Sequence, residues 1–237
     1  MGIDAQKAAI ALLPLCLAGV AQAGDGTHWK DDQISATEPF QVYHPDQQNR
    51  RLALEFYEAA DYPKAYRQFL KAAYWADKPS QAAIAEMLWQ GVGVQRDRAA
   101  AYAWMDLAAE RGYTSFLVHR ERYWAQLNEA ERARAIKLGA GVYAGYGDKV
   151  AKPRIERQMR LGEKWAYNSV GHKAYARVRV KNEDGGFSEI ISGFYDPKYW
   201  QPRDYWKWQE VLWSEPKQGK VVVGPLEVGV DPPAPVD

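Results

Sequence analysis

Cysteine is almost missing from this chain: Cys16 is the only one in 237 residues. It lies in an apolar N-terminal segment, so disulfides and thiol chemistry are excluded from everything that follows it. Histidine is scarce as well. His28, His44, His119 and His172 are widely separated and match neither H-E-x-x-H nor a zinc-type spacing. Ser188 and Ser192 lack the G-x-S-x-G setting of a hydrolase nucleophile. No metal, cofactor or catalytic residue is therefore expected, and the chain does not read as an enzyme. A carboxylate pair of the glycosidase kind is neither excluded nor argued by thirty acidic residues. An excess of one charge is also lacking, since the net charge is +1. That gives no whole-chain attraction to nucleic acid or to an anionic surface.

Long apolar runs are absent beyond the N-terminus, so no transmembrane segment is expected in the mature chain. The N-terminus itself has the layout of a secretory signal. Lys7 and the α-amino group supply positive charge, Ala8 to Val20 are apolar, and Ala21-Gln22-Ala23 is an A-x-A cleavage site. Residues 1–23 then form a signal peptide, Gly24 begins the mature protein, and the expected location is the periplasm. Two other readings stay open: an anchoring helix, and lipid attachment at Cys16. The run is short for a bilayer, and Leu15 is not the small residue that lipid attachment requires. Export also removes nucleic acid as an expected partner.

What the chain has in quantity is apolar and aromatic residues, 47% and 13% of the total, enough for a true core. Residues 24–44 show no clear period and read as an irregular lead-in. From Pro45 helical spacing takes over. Asp61, Ala65, Tyr66, Ala72 and Ala73 recur 36 residues on as Asp97, Ala101, Tyr102, Ala108 and Ala109. A period of this size marks stacked helical hairpins, which build binding surfaces more often than catalytic pockets. Pro63 suits a first helical position, Gly91 a helix end, and Asp97 an N-cap. Asn128-Glu129-Ala130-Glu131 has the form of a capping box, and the helix after it is expected to end at Leu138, before Gly139.

The stretch from Ala82 to Gly112 resembles the Sel-one-like repeat, an α-solenoid unit related to tetratricopeptide repeats. The resemblance is carried by Ala85, Leu88, the Gly91-x-Gly93-Val94 loop, Asp97, Ala101, Trp104, Ala108, Ala109 and Gly112. Residues 50–76 resemble a degenerate copy without the glycine loop, and residues 114–138 a terminal hairpin rich in Arg and Glu. Over residues 45–139 the resemblance implies a short right-handed helical stack used for protein–protein contact, commonly in secretory or periplasmic settings. These residues are scaffold positions; those that face a partner are not legible.

Residues 140–230 change character. One helix is expected at 151–161. Alternation over 175–180, a turn at Asp184-Gly185-Gly186 and a return over 187–194 predict an antiparallel pair. Residues 205–213 fit helix or strand, and 231–237 read as a frayed tail. The fold class expected is thus α+β, mainly α: a helical-hairpin stack followed by a small α+β region. Two features of that region admit binding. Tyr199, Trp200, Tyr205, Trp206, Trp208 and Trp213 form a dense aromatic cluster, either a platform for cell-wall glycan or the core of a small sheet. Lys149, Lys152, Arg154, Arg157, Arg160 and Lys164 begin a basic run that suits anionic lipid, lipopolysaccharide or an acidic protein, or is a solvated face. The partner expected first is a protein, with glycan the alternative.

Overall fold

A computed structural model describes residues 29–170, 178–181, 187–190 and 193–214. The signal-like segment, Cys16, His28, His172, the expected turn at 184–186 and the tail lie outside them. The described chain is helical, 83% of it, which overturns the α+β expectation.

Two short helices, α1 (Trp29–Ser35) and α2 (Glu38–Tyr43), occupy the stretch expected to be irregular. Thr37 starts α2: its hydroxyl accepts from the Phe40 N–H, and Pro39 falls where no N–H is needed. Three hairpins follow. The first is α3 (Pro45–Glu58) with α4 (Tyr62–Tyr74). The second is α5 (Lys78–Gln90) with α6 (Arg98–Ala108), closed by a 3-10 turn at Ala109–Arg111. The third is α7 (Thr114–Gln126) with α8 (Glu129–Tyr146). Asp61 and Asp97 cap α4 and α6 in the same way, accepting from Lys64 N–H and Ala100 N–H. Asn128 and Glu131 close the expected capping box.

Helix α5 is the axis of the core, with every residue from Lys78 to Trp89 buried. It runs beside α4 and α6, and α8 lies against α6. The Trp89 ring stacks on Tyr123 of α7 at 4.0 Å. Helix α8 passes through Gly139 and Gly141 instead of stopping before them. Interior glycines cost a helix about 1 kcal/mol each. Packing offsets this: the Tyr143 hydroxyl donates to Asp106, and Tyr146 meets Trp104 at 4.7 Å between centroids.

Helix α9 (Asp148–Val170) is twice as long as the sequence suggested. Its buried positions Ala151, Ile155 and Met159 recur every fourth residue and face the end of α4 and the last helix. After it, Val178–Lys181 (β1) pairs antiparallel with Phe187–Ile190 (β2), Val178 opposite Ile190. The pairing anticipated from alternation is present, but two four-residue strands make no sheet region. Residues 205–213, which fit helix or strand by sequence, lie within the helix α11 (Pro202–Ser214), preceded by the short α10 (Pro197–Trp200). Pro197 and Pro202 sit at first helical positions, and Asp196 caps α10. Tyr205, Gln209 and Trp213, four apart, form one buried stripe.

These last helices return to the first described ones. Ile34 and Phe40 form a core with Phe194, Tyr199 and Trp200. Full burial of side chains of this size stabilises by roughly 1.5–3 kcal/mol each. The beginning and end of the described chain are therefore one folded unit, and the boundary expected at residue 139 is not a structural one.

Candidate functional site

The residues that the sequence offers as scaffold positions lie on α5, on α6 and in the turns that follow them. Ala85, Ala101 and Ala108 are fully buried, and Leu88, Trp104 and Ala109 nearly so. Gly91 ends α5 in the left-handed region at φ 76°. Gly93 has φ 69°, and a Cβ there would lie 2.5 Å from the Tyr62 carbonyl carbon. The glycine loop of the second hairpin thus seats directly on the first turn of α4. Val94 is partly buried against the same core, and Gly112 closes the 3-10 turn.

An open cleft lies beside this loop, between the second and third hairpins, lined by Val94, Arg96, Asp97, Arg98, Glu131 and Arg134 among others. Arg134 holds the Asp97 carboxylate through two donors, at 2.8 and 2.6 Å. Burial raises the Asp97 carboxyl, but Arg134 and the helix N–H groups outweigh it and leave the group below its usual range. Arg98 lies over the Trp89 ring at 4.7 Å and 3.8 Å from Glu131. Arg96 donates to the Trp89 carbonyl and has no carboxylate partner among the described residues. Three guanidiniums against two carboxylates make this a mildly cationic recess without an acid–base pair.

Helix α11 packs on α3 and α7. Tyr205 donates to Asp46 and accepts from Gln47, both on α3. Arg50 pairs with Asp77, the cap of α5, and its guanidinium lies 5.8 Å from the Trp213 ring. The Trp213 ring is 6.1 Å from Phe116 on α7. One helix thus bridges the first helices of the first and third hairpins, over a polar seam that sequence reasoning did not single out. Burial, and then the Asp77 charge, push the Asp46 carboxyl up to about 6. Asp46 Oδ1, Ser80 Oγ and Gln209 Nε2 have no hydrogen-bond partner among the described residues.

Two further buried groups were also missed. His44 stacks on Phe40 at 3.8 Å, its Nδ1 2.8 Å from the Phe40 carbonyl and Nε2 2.6 Å from the Tyr199 carbonyl. A neutral imidazole donates to only one of them. Burial outweighs both carbonyls and lowers the group to about 4. Lys78 is buried, and its ammonium donates to the Leu107 carbonyl (3.0 Å), Gln81 (3.1 Å) and Glu110 (2.6 Å), with Asp148 at 3.3 Å. Arg111 holds Asp148 as well, at 2.8 and 2.9 Å. Nothing in one sequence marks these residues, because a polar group near a helix start usually faces water.

The aromatic cluster is mostly interior. Tyr199, Trp200 and Tyr205 are at most 2% exposed and Trp213 is 9% exposed. Trp206 is partly buried, donates to Glu156 and lies under Arg111 and Lys152. Trp208 packs on Tyr199 and Tyr205. The rings join α10 and α11 to the stack and form no open platform. Among the described residues no group of three His, Cys, Asp or Glu is placed to hold a metal ion, and no helix is long and apolar enough to cross a membrane. No protein family, curated protein or solved structure matches this chain.

Proposed function

We propose that this protein is an exported interaction module of the Sel-one-like repeat type, which holds a protein partner on its stack of hairpins. The observation that carries the reading is the equivalence of the first two hairpins. Asp61 and Asp97 make the same cap 36 residues apart, and Ala72-Ala73 and Ala108-Ala109 are buried at corresponding points. Units of this kind leave their outer edges for recognition. Helix α11 covers the side formed by α3 and α7, so the partner site is the recess at the glycine loop. Its Arg96, Arg98 and Arg134 suit an acidic segment of the partner. Burial of the C-terminal rings weighs against glycan as the ligand.

The test is crosslinked capture from the native compartment with the wild-type chain and an Arg96→Glu, Arg134→Glu variant. A partner retained by the wild type and lost by the variant supports the reading. Equal capture by both would remove the recess as the site. Purely cytoplasmic partners and an uncleaved N-terminus would remove export.

A further inference from the structure

The exposed face of α9 carries charge of one sign. Lys149, Arg157, Arg160 and Lys164 are its exposed charged residues from Asp148 to Trp165. The acids of that stretch are turned aside: Asp148 is held by Arg111, Glu156 accepts from Trp206, and Glu163 is half-buried on the flank. Lys149, Arg157 and Lys164 make no ion pair among the described residues, and Arg160 makes one loose contact, 3.8 Å to Glu156. The four cations are spread along about 22 Å of helix at 1.5 Å per residue.

The same face carries large apolar side chains. Leu161 is 50% exposed and Trp165 39%. With Lys149, Pro153 and Arg157 they follow one another every fourth residue, and Lys164 stands between them. Their exposure is not an opening in a loose surface, because the helix is seated firmly just behind them. A Cβ on Gly162 would lie 2.7 Å from both the Tyr43 and Trp200 side chains, and Gln158 donates to the Val42 carbonyl. Val42, on the neighbouring α2, is itself 50% exposed.

We propose that this face of α9 docks on the surface of an anionic lipid bilayer, with the helix lying in the plane of the headgroups. A purely acidic segment would satisfy the four cations and leave Leu161 and Trp165 in water. A bilayer interface takes both kinds of group. Ammonium and guanidinium heads meet lipid phosphates while their methylene stems, Leu161 and the Trp165 ring enter the headgroup–acyl boundary. The attraction acts within a Debye length of the surface and is additive over the basic residues.

Co-sedimentation of the full chain with phosphatidylcholine vesicles, with and without a third of phosphatidylglycerol, tests this. Binding is expected only to the anionic vesicles and is lost at high salt. The exposed double variant Arg157→Glu, Lys164→Glu weakens it about tenfold or more, with helicity unchanged. Leu161→Ser, which leaves every charge in place, weakens it too, as a purely electrostatic contact would not. Equal binding to both vesicles overturns the proposal. So does indifference to either variant, or binding to soluble polyglutamate with no binding to vesicles.

Discussion

The hydroxyl of Tyr205 donates to the carboxylate of Asp46, 159 residues earlier in the chain. Both residues are buried, and the bond ties α11 to the start of the first hairpin. Tyr205→Phe leaves the Asp46 carboxylate buried without its donor. The expected loss is about 1–3 kcal/mol at neutral pH, read by urea denaturation. Adding Asp46→Asn should restore part of it, because two residues in one network are not additive. Additive losses would show that the pair does not interact.

His44 and Asp46 oppose each other in pH dependence. Asp46 is raised to about 6 from 3.8, so the folded state takes up its proton first. Its stabilisation is complete below 3.8 and is lost as pH rises through 6. His44 is lowered to about 4 from 6.5, so the unfolded state takes up that proton first. Its stabilisation is complete above 6.5 and is lost as pH falls through 4. Each shift corresponds to about 3 kcal/mol, and between pH 4 and 6 the two slopes offset. Asp46→Asn should therefore lose stability on acidification through this window, and His44→Gln should gain it. Denaturation midpoints followed against pH would decide; parallel profiles for the two variants would contradict the assignment.

Gly93→Ala should cost roughly 3 kcal/mol, from the left-handed backbone and the collision with Tyr62 together. Ala60 is the contrast. It is exposed, ends the first hairpin's turn at φ 58°, and meets no such obstacle to losing its methyl. Ala60→Gly should gain about 0.5 kcal/mol, the relief of a left-handed alanine less the added freedom of the unfolded chain. Thermal denaturation of the two variants gives both signs.

Lys78→Met keeps the length of the side chain and removes the ammonium. Glu110 and the Leu107 carbonyl then lose their shared donor, while Asp148 retains Arg111. A loss of about 3–5 kcal/mol is expected, as when one partner of a buried ion pair is removed. Replacing Glu110 by Gln in the same chain should recover part of the loss, and a failure to do so would place the cost in packing.

Much of the stack was legible because local signals and long-range packing agreed there. Asp97 announces a cap through its own side chain, its repeat partner Asp61 takes the same role, and Ala72-Ala73 and Ala108-Ala109 let neighbouring helices approach closely. Gly91 and Gly93 mark a turn that a Cβ would oppose. The region after residue 139 was misread for the converse reason. Gly139 and Gly141 signal an end to a helix that Tyr143 and Tyr146 continue through contacts with the preceding hairpin. The segment 202–214 has no strong local preference, and its stripe of Tyr205, Gln209 and Trp213 becomes apolar-facing only when α3 and α7 are there to receive it.

The sequence by itself determined the hairpins, their caps and their 36-residue spacing, because those depend on backbone freedom and on side chains within a few residues of one another. Only the tertiary structure decided that the first and last described helices form one core, that Trp200 and Trp213 are interior, and that Asp46, His44 and Lys78 are buried. Those outcomes depend on which surfaces meet across 29 to 159 residues of chain. Burial of a polar group is a property of its neighbours in space, which no local pattern specifies.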